Sequence, residues 1–448
     1  MSTPSLSDIR PGRLSAGDYA LRFADVSPRL TPAQALLEAE RCLYCYDAPC
    51  IAACPTGIDV PSFIRRIADG NLRGAARTIL DSNPLGGMCA RVCPTETLCE
   101  QACVRTAQEG KPVTIGRLQR HAVDALMESD RPQLFTRAQP TGRKVAVVGA
   151  GPAGLACAHT LALLGHEVVV FDARPKAGGL NEYGLAAYKT PDNFAQRELQ
   201  WLLGMGGIEI RTGWKLETTA QLDALRRDYS AVFLGMGLAT THRLGVPGED
   251  LGGVEDAVDF IARLRQSEDK SQLPIGRRVV VIGGGMTAVD AAVQSRLLGA
   301  ESVHIVYRRG LETMSASVDE QHWAQTSGVT IRHWLAPIEV TGHDGQASGV
   351  MFARQALVNG QQQATGDTEF IAADMVFKAI GQKPGNPVLL ETGLALESGR
   401  IATAEDGATS LPGVWAGGDC RAGGLDLTVQ AVEHGKRAAQ AIHAQFSR

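Results

Sequence analysis

No stretch of this chain approaches the ~18 uninterrupted apolar residues that a membrane-spanning helix needs, so a membrane span is excluded. The opening residues, Met-Ser-Thr-Pro-Ser-Leu-Ser-Asp-Ile-Arg, hold no apolar segment of the secretory kind, and a cytoplasmic protein is the default expectation. An excess of one charge is also missing. A formal net charge of -4 over 448 residues, with 44% apolar content, offers no basic surface for nucleic acid and no disordered acidic tail. Aromatic residues are scarce at 5%, whereas 50 glycines promise tight turns and close backbone approaches. Low-complexity tracts and short-period repeats are absent, and the length suits about two to four domains with ample core.

Cysteine is rare except in one place. Eight of the ten fall between residues 42 and 103, reading Cys42-x2-Cys45-x4-Cys50-x3-Cys54-Pro55 and then Cys89, Cys93-Pro94, Cys99 and Cys103. A ferredoxin-like run ends in C-x3-C-P because three thiolates hold one cubane while the fourth reaches a second cluster. Disulfides suit neither a reducing compartment nor a chain of this size. Structural zinc usually takes two C-x2-C pairs, and only Cys42/Cys45 forms one. The spacing therefore points to two [4Fe–4S] clusters. Of the two remaining cysteines, Cys157 reads as a core thiol, and Cys420 lacks the C-x-x-C partner of a redox disulfide.

The pattern up to about residue 135 is helical. Thr31-Pro32-Ala33-Gln34 offers an N-cap, a proline at the first helical position and a capping-box glutamine. Phe63, Ile64, Ile67, Ala75, Ile79 and Leu80 recur near helical spacing between Pro61 and Asn83-Pro84. A polar stretch from Ser129 to Arg143 reads as a linker. From Lys144 the grammar changes to buried strand, glycine turn, helix and strand: Lys144–Gly149, Gly149-x-Gly151-x-x-Gly154, then Glu167–Asp172. It returns at Arg278–Gly283, Gly283-x-Gly285-x-x-Ala288 and Ser302–Tyr307. One such motif is weak evidence, but two, each between the right strand and helix, predict two dinucleotide sites. The Gly/Gln-rich run 341–366 is expected to be an exposed hairpin or loop.

Glycine lets the backbone approach a pyrophosphate seated on the helix N-terminus. Asp172 ends the second strand of the first motif, where a carboxylate can accept from ribose hydroxyls. The equivalent place in the second motif carries Arg308 and Arg309. A guanidinium there suits a 2′-phosphate and NADPH; the alternative is a pair of solvated strand-end charges. Thr287 completes the second turn. Near the C-terminus, Leu411-Pro-Gly-Val-Trp-Ala-Gly-Gly-Asp419 precedes a helix from about Thr428 to Ala444. This resembles the closing motif of the two-dinucleotide flavoprotein reductases, in which the aspartate binds FAD and the NAD(P) domain interrupts the FAD domain. The resemblance implies an α/β chain with a helical iron–sulfur domain (1–139), an FAD domain in two parts (140–245 and 377–448) and an NAD(P) domain (246–376) between them. Candidate FAD contacts are Gly149, Gly151, Gly154, Asp172, Gly179, Leu180, Lys189, Gly381, Gly418, Asp419 and Thr428, with Ala379-Ile-Gly381-Gln382 marking the return strand.

The cysteine segments carry a narrower resemblance. Cys42-Leu-Tyr-Cys45-Tyr-Asp-Ala-Pro-Cys50, Cys54-Pro-Thr-Gly-Ile-Asp59 and Asn83-Pro-Leu-Gly-Gly-Met-Cys89-Ala-Arg-Val-Cys93-Pro-Thr are similar to the N-terminal half of dihydropyrimidine dehydrogenase and to its bacterial flavin/iron–sulfur subunit. The wider family includes the glutamate synthase small subunit. That resemblance implies one cluster on Cys42, Cys45, Cys50 and Cys103, and a second on Cys54, Cys93, Cys99 and Gln119, with Cys89 a buried structural cysteine. The chain departs from the family at Met286, where Asn or Asp usually follows the third glycine. The implied activity is oxidation of NADH or NADPH, hydride transfer to FAD, and single-electron transfer through the clusters. No catalytic side chain is nominated. An FMN barrel needs roughly 250 residues, for which no segment remains, so reduction of a pyrimidine implies a separate FMN-containing subunit. Input to a glutamate synthase is the second expectation, and a nucleotide-holding zinc scaffold the third.

Overall fold

Valine-rich runs bounded by glycine turns build two parallel sheets in the computed structural model, which describes residues 8–129 and 133–446. The first seven residues and residues 130–132 of the expected linker lie outside the described residues. The chain gathers into two units.

One unit comprises Ser27–Glu182, Asp192–Thr240 and the chain from Lys383 onward. Its first hundred residues are helical. Thr31 and Gln34 form the expected capping box at the start of Pro32–Glu40, each side chain bonded to the other's backbone N–H. Asp59 caps Val60–Ala68 by accepting from the Ser62 N–H at 3.1 Å. Phe63, Ile64 and Ile67 on one face of that helix meet Ala75 and Ile79 of Leu72–Ser82 and Leu118 and Val123 of Ile115–Met127. Full burial of each large side chain contributes about 1.5–3 kcal/mol. The helix Gly86–Val92 carries Cys89.

The same unit holds a five-stranded parallel sheet in the order Val414–Ala416, Ala231–Leu234, Lys144–Val148, Glu167–Asp172 and Ile208–Thr212. Val147 pairs in register with Val170 on one side and Phe233 on the other. The near-continuous apolar strands are those of a sheet covered on both faces. One cover is the helix Pro152–Leu163, which packs against the C-terminal helix Thr428–Phe446.

The other unit comprises the described residues before Ser27, together with Tyr183–Pro191 and Thr241–Gln382. Its parallel sheet runs Val254–Asp256, Met375–Lys378, Arg278–Ile282, Ser302–Tyr307 and Thr330–His333. The helix Ala16–Arg22 joins this unit through Tyr19 and Phe23, which lie in one apolar core with Leu264 and Leu298. The run expected as a hairpin or loop is part of an antiparallel sheet of Leu335–His343, Gln346–Val358 and Gln361–Ala372. Asn359 and Gly360, at φ 52° and 78°, make the left-handed turn that the tightest hairpins require. Among the described residues no helix is long and apolar enough to cross a membrane.

Candidate cofactor and cluster sites

The first glycine turn is built from backbone. Gly149 adopts φ 102°, and a Cβ there would sit 2.3 Å from the Gly235 carbonyl oxygen. A Cβ on Gly154 would lie 1.9 Å from the Gly149 oxygen, which only glycine tolerates. Gly151 caps the helix in an extended conformation, its nearest neighbour being the backbone of Gly179. Asp172 reaches back across the turn: one carboxylate oxygen accepts from the Ala150 N–H at 2.7 Å, the other from the Arg174 N–H at 2.8 Å. Gly178 and Gly179, at φ 132° and 55°, lead to the half-exposed Leu180. Thr428 donates to Asn181 Oδ1 at 3.1 Å, joining the C-terminal helix to that same loop. Gly418 adopts φ 74°, and Asp419 beside it is pushed up to about 6 by burial and by Asp426, against the pull of Arg400. This arrangement suits a dinucleotide: backbone N–H groups at a helix start, a carboxylate at the strand end, and no Cβ in the way.

The second turn repeats the plan. A Cβ on Gly283 would meet the Ala379 oxygen at 2.2 Å, and one on Gly284 the Tyr307 ring at 2.5 Å. Gly285 caps Met286–Leu297, whose first turn carries Thr287 and the buried Ala288. Arg308 and Arg309 are exposed at the end of Ser302–Tyr307, and among the described residues neither guanidinium forms an ion pair. Two further candidate cofactor contacts, Gly381 and Lys189, fall in this same unit. Gly381 accepts from the His242 N–H at 3.2 Å, and the Lys189 amine lies between Asp290 and Glu320.

Cys42, Cys45, Cys50 and Cys103 line one pocket, walled by Val60, Ile64, Val113 and Ile115. Burial and the neighbouring thiols of Cys42 and Cys103 push the Cys50 thiol up to about 11. Cys54, Cys93 and Cys99 form a second group. The Cys93 thiol is raised by its hydrogen bond with Cys89, by burial, and by Cys99 and Cys54 nearby. Cys89 is 2% exposed, and Gln119 is 7% exposed with its amide donating to the Gly86 oxygen at 2.7 Å. Among the described residues no group of three or more His, Cys, Asp or Glu side chains could hold a metal ion. A zinc site draws its thiolates onto one atom at about 2.3 Å, whereas a cubane holds them at its separate corners. A cubane takes one thiolate at each of four corners, and four cysteines line this one pocket; all ten cysteines are free thiols.

Sequence reasoning missed Glu198. It is 1% exposed on the helix Phe194–Leu203, and one carboxylate oxygen accepts from the Gly87 and Met88 N–H groups at 2.7 and 3.1 Å. Its signal was a lone carboxylate among Phe194, Ala195, Leu199 and Leu202, on the apolar face. Arg91 lies over the Phe194 ring, 3.3 Å from its centroid, and makes a buried pair with Asp124 at 2.8 Å. Asp290 is a similar omission, a carboxylate amid Val289, Ala291 and Ala292.

Residues 143–435 match the family described as pyridine nucleotide-disulphide oxidoreductase. The chain belongs to that family. This chain is an NAD(P)H-dependent oxidoreductase. Residues 20–131 match dihydropyrimidine dehydrogenase domain II, 4Fe-4S cluster, which adds an iron–sulfur domain to the family fold. The NAD-dependent dihydropyrimidine dehydrogenase subunit PreT of Salmonella typhimurium is 35% identical over 420 residues, covering 94% of this chain and 96% of that protein. The glutamate synthase [NADPH] small chain of Escherichia coli is 37% identical over 445 residues, covering 94% and 93%. Among solved structures, Mycobacterium tuberculosis FprA in complex with NADPH superposes with a TM-score of 0.58 at 18% identity, over 69% of this chain and 85% of that one. Thioredoxin reductase of T. acidophilum gives 0.53 at 22%, over 68% and 100%. These two likenesses concern the fold alone.

Proposed function

We propose that this chain is the electron-input subunit of a dihydropyrimidine dehydrogenase, delivering electrons from NADH or NADPH to a separate FMN-containing catalytic subunit that reduces uracil or thymine. The observation that carries the reading is the pocket lined by Cys42, Cys45, Cys50 and Cys103, in the same unit as the first glycine turn. Electrons reaching a flavin there have no redox disulfide to leave by, and a cluster-bearing domain supplies the route. Gly149, Gly151 and Gly154 would hold the FAD pyrophosphate, Asp172 the ribose, and Gly179, Leu180, Gly418, Asp419 and Thr428 the remainder. Gly283, Gly285, Thr287 and Ala288 would seat the NAD(P)H phosphates, with Arg308 and Arg309 facing the adenosine end. Cys54, Cys93, Cys99 and Gln119 would complete a second [4Fe–4S] cluster. Bound at these places, FAD and the clusters convert a two-electron donor into single electrons. The protein's own part is to bind and orient, with Val60, Ile64, Val113 and Ile115 forming the apolar walls beside the half-buried thiols of the first group.

The domain division at 139, 245 and 376 and a cytoplasmic location belong to this reading. The segments Asp47-Ala48-Pro49-Cys50 and Cys54-Pro55-Thr56-Gly57-Ile58-Asp59 favour the pyrimidine enzyme by their resemblance. The 37% identity to a glutamate synthase small chain favours the second reading, in which the partner is that enzyme's large chain. The test is iron analysis of anaerobically purified protein followed by reconstitution. About eight irons per chain are expected from two cubanes, and dihydrouracil should form when an FMN dihydropyrimidine dehydrogenase subunit is added. Stoichiometric zinc without iron would sink the cluster assignment. Glutamate formation with a glutamate synthase large chain, and no dihydrouracil, would transfer the assignment to the second reading.

A further inference from the structure

The second glycine turn has two walls. One is the helix Met286–Leu297, which begins at Gly285. The other is the lead-in to the helix Val318–Thr326: the Ala316 N–H donates to the Gly284 oxygen at 3.0 Å, and a Cβ placed on Gly285 would lie 3.1 Å from Ser315 Oγ. Lys189 reaches both walls. Its Nζ is 2.8 Å from Asp290 Oδ1 on the first helix and 2.6 Å from Glu320 Oε1 on the second. The residues just before it fasten to the first helix as well. Asp290 accepts from the Ala186 N–H at 3.1 Å and from the Tyr188 hydroxyl at 3.3 Å, and Gln294 accepts from the Ala187 N–H at 2.9 Å.

We infer that Lys189 is a positioning residue that clamps the two walls of the second dinucleotide turn, setting the width of the phosphate seat for NAD(P)H. The inference rests on the reading that this turn binds NAD(P)H. Its physical basis is charge. Asp290 and Glu320 project from different helices, and their side chains are only 4% and 18% exposed. Two carboxylates so placed repel one another with little solvent screening, and an ammonium between them turns the repulsion into a bridge. Burial alone would lower the Lys189 pKa, but Asp290 and Glu320 outweigh it and hold the amine above its ordinary value, so it stays charged at neutral pH. A buried ionic group often adds no net stability over a well-packed apolar one. What a bridge of three charges supplies, and Leu or Met would not, is one defined spacing between the helices. Two of the three ammonium donors are spent on this bridge.

The test uses the full chain with Lys189→Met, Lys189→Arg and the double variant Lys189→Met/Glu320→Gln. Dissociation constants for NADH and NADPH are measured by fluorescence, KM and kcat with ferricyanide, and melting temperature and FAD content alongside. Lys189→Met should weaken nucleotide binding about tenfold, with KM for NAD(P)H rising more than kcat falls, and Lys189→Arg should recover most of the loss. The double variant, which removes the unbalanced carboxylate, should regain the melting temperature but not the affinity. Affinity equal to that of the unsubstituted chain, in either Met-bearing variant, would overturn the clamp. Failure of the unsubstituted, FAD-loaded chain to bind either nucleotide would instead overturn the reading beneath it.

Discussion

Glu198 contributes a carboxyl group that burial pushes up to about 8, although the Gly87 and Met88 N–H groups favour its charged form. The consequence for stability has a definite sign. Below its ordinary value of 4.5 the group is protonated whether the chain is folded or not. Between 4.5 and about 8 the unfolded chain gives up the proton while the folded chain keeps it, so stability falls as pH rises through that window. Thermal melts of anaerobic protein should therefore decline from pH 5 to 8, and Glu198→Gln should flatten this decline. A slope that is the same in both proteins would rule Glu198 out as its source. Cys89 and Gln119 pose a second question at this scale. The Cys89 thiol is hydrogen-bonded to Cys93, while the Gln119 amide donates to the Gly86 oxygen. If Gln119 is the ligand, Gln119→Ala should strip or convert one cluster and Cys89→Ser should leave both cluster spectra largely intact. The reverse outcome would make Cys89 the eighth ligand.

Helix crossing decides the next level. Gly435 in Thr428–Phe446 lies so near Pro152–Leu163 that an added Cβ would stand 2.1 Å from the Ala153 oxygen and 2.9 Å from the Cys157 nitrogen. A methyl group there forces the two helices apart, at a cost of about 1–3 kcal/mol or more. Because Ala153 lies within the first glycine motif, between Gly151 and Gly154, Gly435→Ala should lower both the melting temperature and the FAD retained on purification. A variant that melts several degrees lower yet keeps its full flavin would separate the packing effect from the cofactor seat. The sequence made this helix legible from its length and start, but not its close approach, since a single glycine in a helix carries no sign of what it faces. The stretch 341–366 shows the same limit. Its Gly/Gln-rich composition suggested an exposed hairpin or loop, yet did not reveal that three strands share one antiparallel sheet.

For the molecule as a whole, the proposed reading assigns the described chain to a helical iron–sulfur domain and two dinucleotide folds, and gives the FMN chemistry, which needs a barrel of roughly 250 residues, to a separate subunit. The chain alone should therefore oxidise NAD(P)H with ferricyanide or a tetrazolium dye, since transfer from flavin to a soluble acceptor needs no partner. It should form no dihydrouracil, however much nucleotide is supplied. Steady dihydrouracil production by the purified single chain would overturn both the domain reading and the need for a partner.

Features that depend on neighbours in sequence were legible without coordinates. The capping box at Thr31 and Gln34, both glycine turns, the apolar strands they join and the grouping of the cysteines are set by short-range sterics and hydrogen bonding. Tertiary structure decided which distant segments share a core. Tyr19 and Phe23, preceding the cluster helices, pack with the second dinucleotide sheet because its core accepts their rings. Cys103 joins Cys42, Cys45 and Cys50 across more than fifty intervening residues because the helices between them fold back over Phe63 and Ile64. Lys189 meets Glu320 at a sequence separation of 131. A buried charge must find its opposite somewhere, and local pattern cannot say where; only the packed chain brings the two together.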